Sequence, residues 1–317
     1  MVYPYFHLML YQLLKVWVRL GLLLYARQVK VTGSSTMPGS VPLLLAVNHP
    51  NSFLDAIVVA VYANQPITFF ARGDVFTKPW IRGLLRQLNM VPIYRIRDGK
   101  DKLELNDASF EQGVQVLQQG GTVLVFVEGF CAHQTNLQLP LKKGAPRMLQ
   151  RCWQIQVPAQ VLPVWVQYSS FNRLGKTIHI RFGQPFGQPL AASSAAAEIV
   201  QVNTLTARAL QQLHQASPFT HARMPSLWRW LLALPALLGA VLHAPLYLPV
   251  QAVVRRLTRN TVHYDAALFA SLLLLYPLYL LLATISMLAL ITTTAALLLP
   301  LAMPVLAYAY IKWRTDD

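Results

Sequence analysis

Acidic side chains are scarce in this 317-residue chain: 12 Asp and Glu stand against 27 Lys and Arg, and charged residues make up 12% of the sequence. A soluble domain usually carries about 25%. With so little charge and 55% hydrophobic residues, the chain reads as a membrane protein. Cysteine is nearly lacking too. Cys131 and Cys152 have no paired metal-type spacing and build no disulfide framework, which fits a reducing compartment. A Gly-rich nucleotide loop and a Gly-x-Ser-x-Gly elbow are missing, and neither a metal nor a bound cofactor is expected. The excess of base gives a net charge of +15 and a pI near 10.1, which suits nucleic acid or an anionic bilayer. Its basic residues are scattered among apolar runs without a nucleic-acid motif, so a bilayer with anionic lipids is the expected partner and nucleic acid is not.

What the sequence does contain is organised around Ala46-Val47-Asn48-His49-Pro50-Asn51-Ser52-Phe53-Leu54-Asp55. A neutral imidazole can take a proton from an alcohol near pH 7 when a carboxylate fixes its tautomer and steadies the cation that forms. Residues 43–47 read as a short buried strand, and Asn51 or Ser52 as the start of a helix running from Phe53. His49 then stands at a strand end, where α/β sheets place their sites, and Asp55 falls in the first helical turn. Taken alone, the pair also fits a loop-capping histidine and an aspartate serving the helix dipole.

Four further segments follow: Val91-Pro92-Ile93-Tyr94-Arg95, Val125-Phe126-Val127-Glu128-Gly129, Leu141-Lys142-Lys143-Gly144 and Val161-Leu162-Pro163-Val164. In this order the chain resembles the glycerolipid acyltransferase superfamily over roughly residues 30–190, both its bacterial PlsC-like enzymes and its yeast-type glycerol-3-phosphate acyltransferases. Five residues separate His49 from Asp55 where the usual motif has four, a spacing similar to the yeast-type branch. Val127 replaces the usual proline of the Glu-Gly motif, and Phe130-Cys131 follow where a small hydroxyl residue is usual.

The resemblance implies catalysis by His49 and Asp55, a phosphate of the acceptor held by Arg95 and Lys142, and an acceptor pocket helped by Glu128 and Gly129. A guanidinium is a bidentate fork for phosphate, and Lys142 precedes a helix start whose amides attract an anion. Asn48 is placed in the substrate pocket with them. Arg72 and Asp74 either border that pocket or form a surface pair.

The alternation of patterns predicts strands near 43–48, 67–71, 91–94, 122–127, 160–168 and 177–182, with helices near 53–63, 79–88, 106–119, 144–154 and 191–215. This is an α/β domain over 31–216, a mixed sheet flanked by helices. Ahead of it, residues 1–30 read as an interfacial helix. Lys15 and Arg19 share one face, and burying both in a span would cost about 2.5–3.5 kcal/mol each. The same charges, and the lack of a small-residue cleavage site, argue against a signal peptide.

Residues 217–317 read as a membrane region. The stretch 227–250 holds Arg229, Pro235, His243, Pro245 and Pro249, and suits a re-entrant or interfacial pair. Residues 266–311 contain no charge over 46 positions, about 69 Å if helical, so they fold as a two-span hairpin. Arg255, Arg256 and Arg259 before it, with Lys312 and Arg314 after it, set both ends on the cytoplasmic side, together with the catalytic domain at the inner membrane. The reading as a whole is transfer of a fatty acyl group from acyl-CoA or acyl-carrier protein to glycerol-3-phosphate in phospholipid biosynthesis. Lysophosphatidic acid or another lysophospholipid is the alternative acceptor, and a non-catalytic lipid-binding membrane protein is the alternative of another class.

Overall fold

The computed structural model describes residues 4–39, 41–94, 104–189, 193–216, 225–290 and 293–314. Seven strands, β1 (Ala26–Thr32), β2 (Leu43–Val47), β3 (Ile67–Arg72), β4 (Met90–Ile93), β5 (Thr122–Phe126), β6 (Gln160–Tyr168) and β7 (Lys176–Phe182), form one sheet. Their order is β1-β7-β6-β2-β5-β3-β4, and every neighbouring pair is parallel except β6 with β7. The central strand β2 is apolar at all five positions because both of its faces are covered. Leu43, Leu45 and Val47 point into one core cluster, Leu44 and Ala46 into the other.

The first face is covered by α1 (Pro4–Leu23) and α2 (Phe53–Tyr62), the second by α4 (Leu105–Gln118), α5 (Gly144–Gln154) and α6 (Ala195–Gln215). A further helix, α3 (Pro79–Gln87), precedes β4. The expected strands and helices of residues 43–215 are present, with ends shifted by a few residues. At the amino-terminal side the expected boundary is wrong: residues 26–30 belong to β1, paired in parallel with β7, and not to a helix running to residue 30. Polar Gln28 and Lys30 alternate there with Val29 and Val31, the period of a half-buried strand.

α1 also turns its charges the opposite way from expectation. Lys15 Nζ donates to the Ala63 carbonyl at 2.7 Å and an Arg19 guanidinium nitrogen to Val61 at 2.8 Å, so both cations sit on the carboxyl end of α2 rather than among headgroups. Carbonyls without helical donors, and the negative end of the helix dipole, account for this attraction. Met9, Leu13, Val16, Leu20 and Leu23, each at least half exposed, form the outward stripe instead.

Three helices close the chain: α7 (Ser226–Leu257), α8 (Tyr264–Leu290) and α9 (Thr293–Trp313). All three are long and apolar enough to cross a membrane. α7 is one continuous helix of 32 residues, which replaces the re-entrant pair expected over 227–250. Its three prolines remain inside it. Pro245 leaves the Val241 carbonyl without its usual donor, and close by the Tyr279 hydroxyl donates to the Leu242 carbonyl at 2.5 Å and His243 Nδ1 to Gly239 at 2.7 Å. Asp265 at the start of α8 and Lys312 near the end of α9 both meet the sheet domain, through Tyr25 and the Arg27 carbonyl.

Candidate active site

His49 follows the carboxyl end of β2, and Asp55 lies in the first turn of α2. Asp55 Oδ2 accepts from His49 Nδ1 at 2.9 Å and from the Asn51 N–H at 2.8 Å. With the carboxylate as acceptor, Nδ1 carries the proton and Nε2 keeps its lone pair. The imidazole stacks on Phe126, ring centres 3.7 Å apart, and remains 17% exposed while Asp55 is wholly buried. Burial raises the Asp55 carboxyl above the ordinary range, and the bonds from His49 and Asn51 oppose that rise. Tyr168, buried at the end of β6, lies within electrostatic reach of Asp55, whose charge adds to burial in holding the phenol protonated, and neither its hydroxyl nor Asp55 Oδ1 makes a hydrogen bond among the described residues.

The loop reaches Asp55 despite its extra residue because Ser52 adopts φ 56, ψ −148, a left-handed backbone that side chains rarely take. Such strain persists only where the surroundings fix it. Here the His49 N–H donates to Glu128 Oε2 at 2.7 Å, the Ser52 N–H to Cys131 Sγ at 2.9 Å, and Ser52 Oγ pairs with His263 Nδ1 at 2.6 Å. Asn51 Nδ2 donates to Asp265 Oδ2 at 2.6 Å. Asp265 in turn takes the Tyr25 hydroxyl and faces the buried ammonium of Lys176, a charge contact rather than a directed hydrogen bond. Loop residues 49–52 are thus tied to the start of α8, more than 200 positions later.

The other candidates divide by what their polar atoms do. Glu128 is buried, and its second oxygen accepts from the Gln138 N–H at 2.8 Å and Gln134 Nε2 at 3.1 Å. Both oxygens are occupied within the chain, so Glu128 shapes the loop instead of presenting a free carboxylate; burial raises its pKa against those bonds. Asn48 clamps β2 to β6, donating to the Val166 carbonyl at 2.9 Å and accepting its N–H at 2.7 Å. Gly129 has φ +72, and a Cβ there would stand 2.5 Å from Lys142 Cγ, so the glycine lets the lysine stem cross it. Lys142 is exposed, two residues ahead of α5.

Arg72 Nε donates to Asp74 at 3.0 Å in a half-exposed pair, and it is Asp55, not Asp74, whose carboxylate bonds the imidazole. Arg95 lies outside the described residues; the chain up to Tyr94 is clamped by Asn106, which accepts the Tyr94 N–H at 2.7 Å and donates to its carbonyl at 2.8 Å.

Sequence reasoning missed Tyr168, Cys131, Lys176, His263 and Asp265. Only Asp265 left a trace, as the sole acidic residue between Glu198 and Asp316. His49, Asp55 and Cys131 bring one ligand-type atom each within 4.8 Å of one another, a group with the makings of a metal site. Burial, then the Asp55 charge, pushes the Cys131 thiol up to about 12, and its sulfur accepts the Ser52 N–H at 2.9 Å.

No curated protein matches the chain. Among solved structures it is similar to the 1-acyl-sn-glycerophosphate (LPA) acyltransferase PlsC from Thermotoga maritima, at 18% identity over 67% of this chain and 82% of that one, with a TM-score of 0.47. Residues 28–167, which hold His49, Asp55, Glu128 and Lys142, match the family model described as Acyltransferase.

Proposed function

We propose that the chain is a membrane-bound O-acyltransferase that moves a fatty acyl group from an acyl-CoA or acyl-carrier-protein thioester to the hydroxyl of glycerol-3-phosphate. The observation that carries this reading is the His49 Nδ1 bond to buried Asp55, which leaves Nε2 free at a partly open strand end. Nε2 takes the proton of the acceptor hydroxyl as its oxygen adds to the thioester carbonyl. The tetrahedral intermediate collapses by breaking the C–S bond, and His49 returns the proton to the departing sulfur, so neither an acyl-enzyme nor a metal step is required. Asp55 steadies the transient imidazolium. Its buried carboxylate is held in place by the Asn51 N–H, so little reorganisation accompanies the proton transfer.

Arg95 and Lys142 are assigned to the acceptor phosphate, with Lys142 crossing Gly129 toward the amino end of α5. The second reading keeps the chemistry and changes the acceptor to 1-acylglycerol-3-phosphate. It is favoured by the exposed apolar stripe of α1, from which an acceptor with a chain could enter from the bilayer. Catalysis is assigned to the cytoplasmic face of the inner membrane, a reading supported by the basic carboxyl ends of α7 and α9.

Thiol release from acyl-CoA in detergent, with each acceptor in turn, tests both readings. Release that needs glycerol-3-phosphate supports the first, release that needs the lysolipid supports the second, and none with either refutes the proposal. Arg95→Lys is expected to raise the acceptor KM and leave that of the thioester nearly unchanged; equal damage to both would remove Arg95 from the acceptor site.

A further inference from the structure

Between α1 and the three terminal helices lies a cavity of about 580 Å³. Leu20 and Leu24, Ala240 and Ala244, Leu273 and Val305 represent its walls, one pair or one residue from each side. Several of the polar groups on its surface are already bonded within the chain: His243 bridges the Gly239 carbonyl and the Tyr276 hydroxyl, and the Tyr25 hydroxyl donates to Asp265. A space of this composition gives water too few partners to order it, and hydrocarbon fills it without loss. Gly239 keeps the wall closed, because a Cβ there would meet the Leu306 carbonyl oxygen at 2.2 Å.

Cations gather where the cavity approaches the sheet domain. Arg314 donates to the Tyr310 hydroxyl at 3.2 Å with its guanidinium 5.6 Å from the ring, and Lys312 lies 5.0 Å from the Tyr308 ring. Arg255 lies 5.7 Å from the Tyr264 ring, and both Arg255 and Arg314 are within electrostatic reach of Tyr247. Tyr247, Tyr308 and Tyr310 all line the cavity, so the cations rim one of its ends. Among the described residues no carboxylate pairs with Arg255, Lys312 or Arg314, and Asp265 is occupied by Lys176. An apolar slot ending at guanidinium groups without a carboxylate partner matches a molecule with a hydrocarbon chain at one end and a phosphate at the other.

We propose that this site holds an anionic glycerophospholipid of the bilayer, with an acyl chain between α1, α7, α8 and α9 and the phosphate against Arg255 and Arg314. The site is separate from the His49 pocket and does not depend on which acceptor that pocket takes. Headgroup charge gives the preference for an anionic over a zwitterionic lipid, and the cavity gives the requirement for a chain.

The test uses the full chain in nonionic detergent, with phosphatidylglycerol and phosphatidylcholine of identical chains as probes. Binding is read by native mass spectrometry and by the thermal unfolding midpoint. Phosphatidylglycerol is expected to bind one per chain and raise the midpoint, with phosphatidylcholine at least tenfold weaker. Arg255→Gln with Arg314→Gln should reduce phosphatidylglycerol to the phosphatidylcholine level without changing thiol release in detergent. Ala244→Phe, which fills the slot, should weaken both lipids; should that variant misfold, the charge pair alone decides. Equal binding of the two lipids, or binding indifferent to the arginine changes, would show ordinary solvation of an apolar surface and overturn the proposal. Competitive displacement by acyl-CoA would overturn it too, by making the cavity a donor site. Failure of acyl transfer leaves these binding measurements intact, so the two conclusions fall separately.

Discussion

Removing Asp265 is the perturbation most diagnostic of how the terminal helices support the site. Its side chain and that of Lys176 are both wholly buried, and it also takes bonds from Tyr25 and Asn51. Asp265→Ala leaves an ammonium without a counter-charge and two donors without an acceptor. Breaking a buried pair from one side costs about 3–5 kcal/mol, against a total stability of about 5–15 kcal/mol for a typical protein. The expected fall in the unfolding midpoint is of the order of 10 °C. Burial already lowers the Lys176 pKa, and Asp265 opposes that lowering, so in the variant Lys176 titrates lower still. The unfolded chain then binds more protons than the folded one below the ordinary lysine value, which makes stability rise with pH. The deficit of Asp265→Ala should therefore shrink between pH 7 and 10. Asp265→Leu with Lys176→Met removes both charges and should regain the part of the loss due to the uncompensated ammonium, though not the part due to the Tyr25 and Asn51 donors. Unfolding of the purified chain in detergent, followed by circular dichroism at several pH values, reads all three variants. A single variant as stable as wild type, or a double variant no better than the single, would refute the reasoning.

His49→Ala should lower thiol release by about 10²- to 10⁴-fold with the unfolding midpoint nearly unchanged, because the ring is partly exposed and contributes little packing; more than a tenth of wild-type activity remaining would remove it as the base. Asp55→Asn should lose nearly as much, whereas Asp74→Asn, which only breaks a surface pair with Arg72, should be mild in the same assay. Cys131, held at about 12 against a usual 9, carries about a thousandfold less thiolate than a free thiol, so iodoacetamide at pH 8 should label it rapidly only after denaturation. Gly129→Ala should destabilise by about 1–3 kcal/mol in chemical unfolding and weaken the acceptor KM, since it strains a left-handed position and displaces Lys142.

Much of the sheet was legible because β2 and its neighbours carry unbroken apolar runs, and the His49–Asp55 pair because six positions of chain hold it together. β1 was not, since Arg27 and Lys30 gave a strand the look of a helix flank. The direction of Lys15 and Arg19 was also invisible. Periodicity says that two charges share a face, but which face turns inward depends on what waits there, and here it is the carboxyl end of α2. Tyr168 and Asp265 reach the site through sequence separations of 113 and 214 positions from Asp55 and Asn51. Such contacts are made by strand order and helix docking, which local patterns do not encode.

The same contacts explain how a catalytic loop can be firm beside an apolar exterior. Where outer helices meet hydrocarbon there is no water to satisfy stray charges, so ionisable groups buried on those helices need partners within the fold. Lys15 and Arg19 find the carbonyls of α2, the helix that carries Asp55, and Asp265 finds Lys176 and Asn51, the residue whose N–H holds Asp55. Each of these attachments therefore fixes α2 or the loop before it, from opposite sides. The strained Ser52 backbone sits between them, held by Cys131 from the sheet domain and by His263 from the turn into α8. In this arrangement the helices that are apolar enough to face a bilayer also complete the cage around the proposed base, and detaching them is expected to loosen the His49–Asp55 geometry itself.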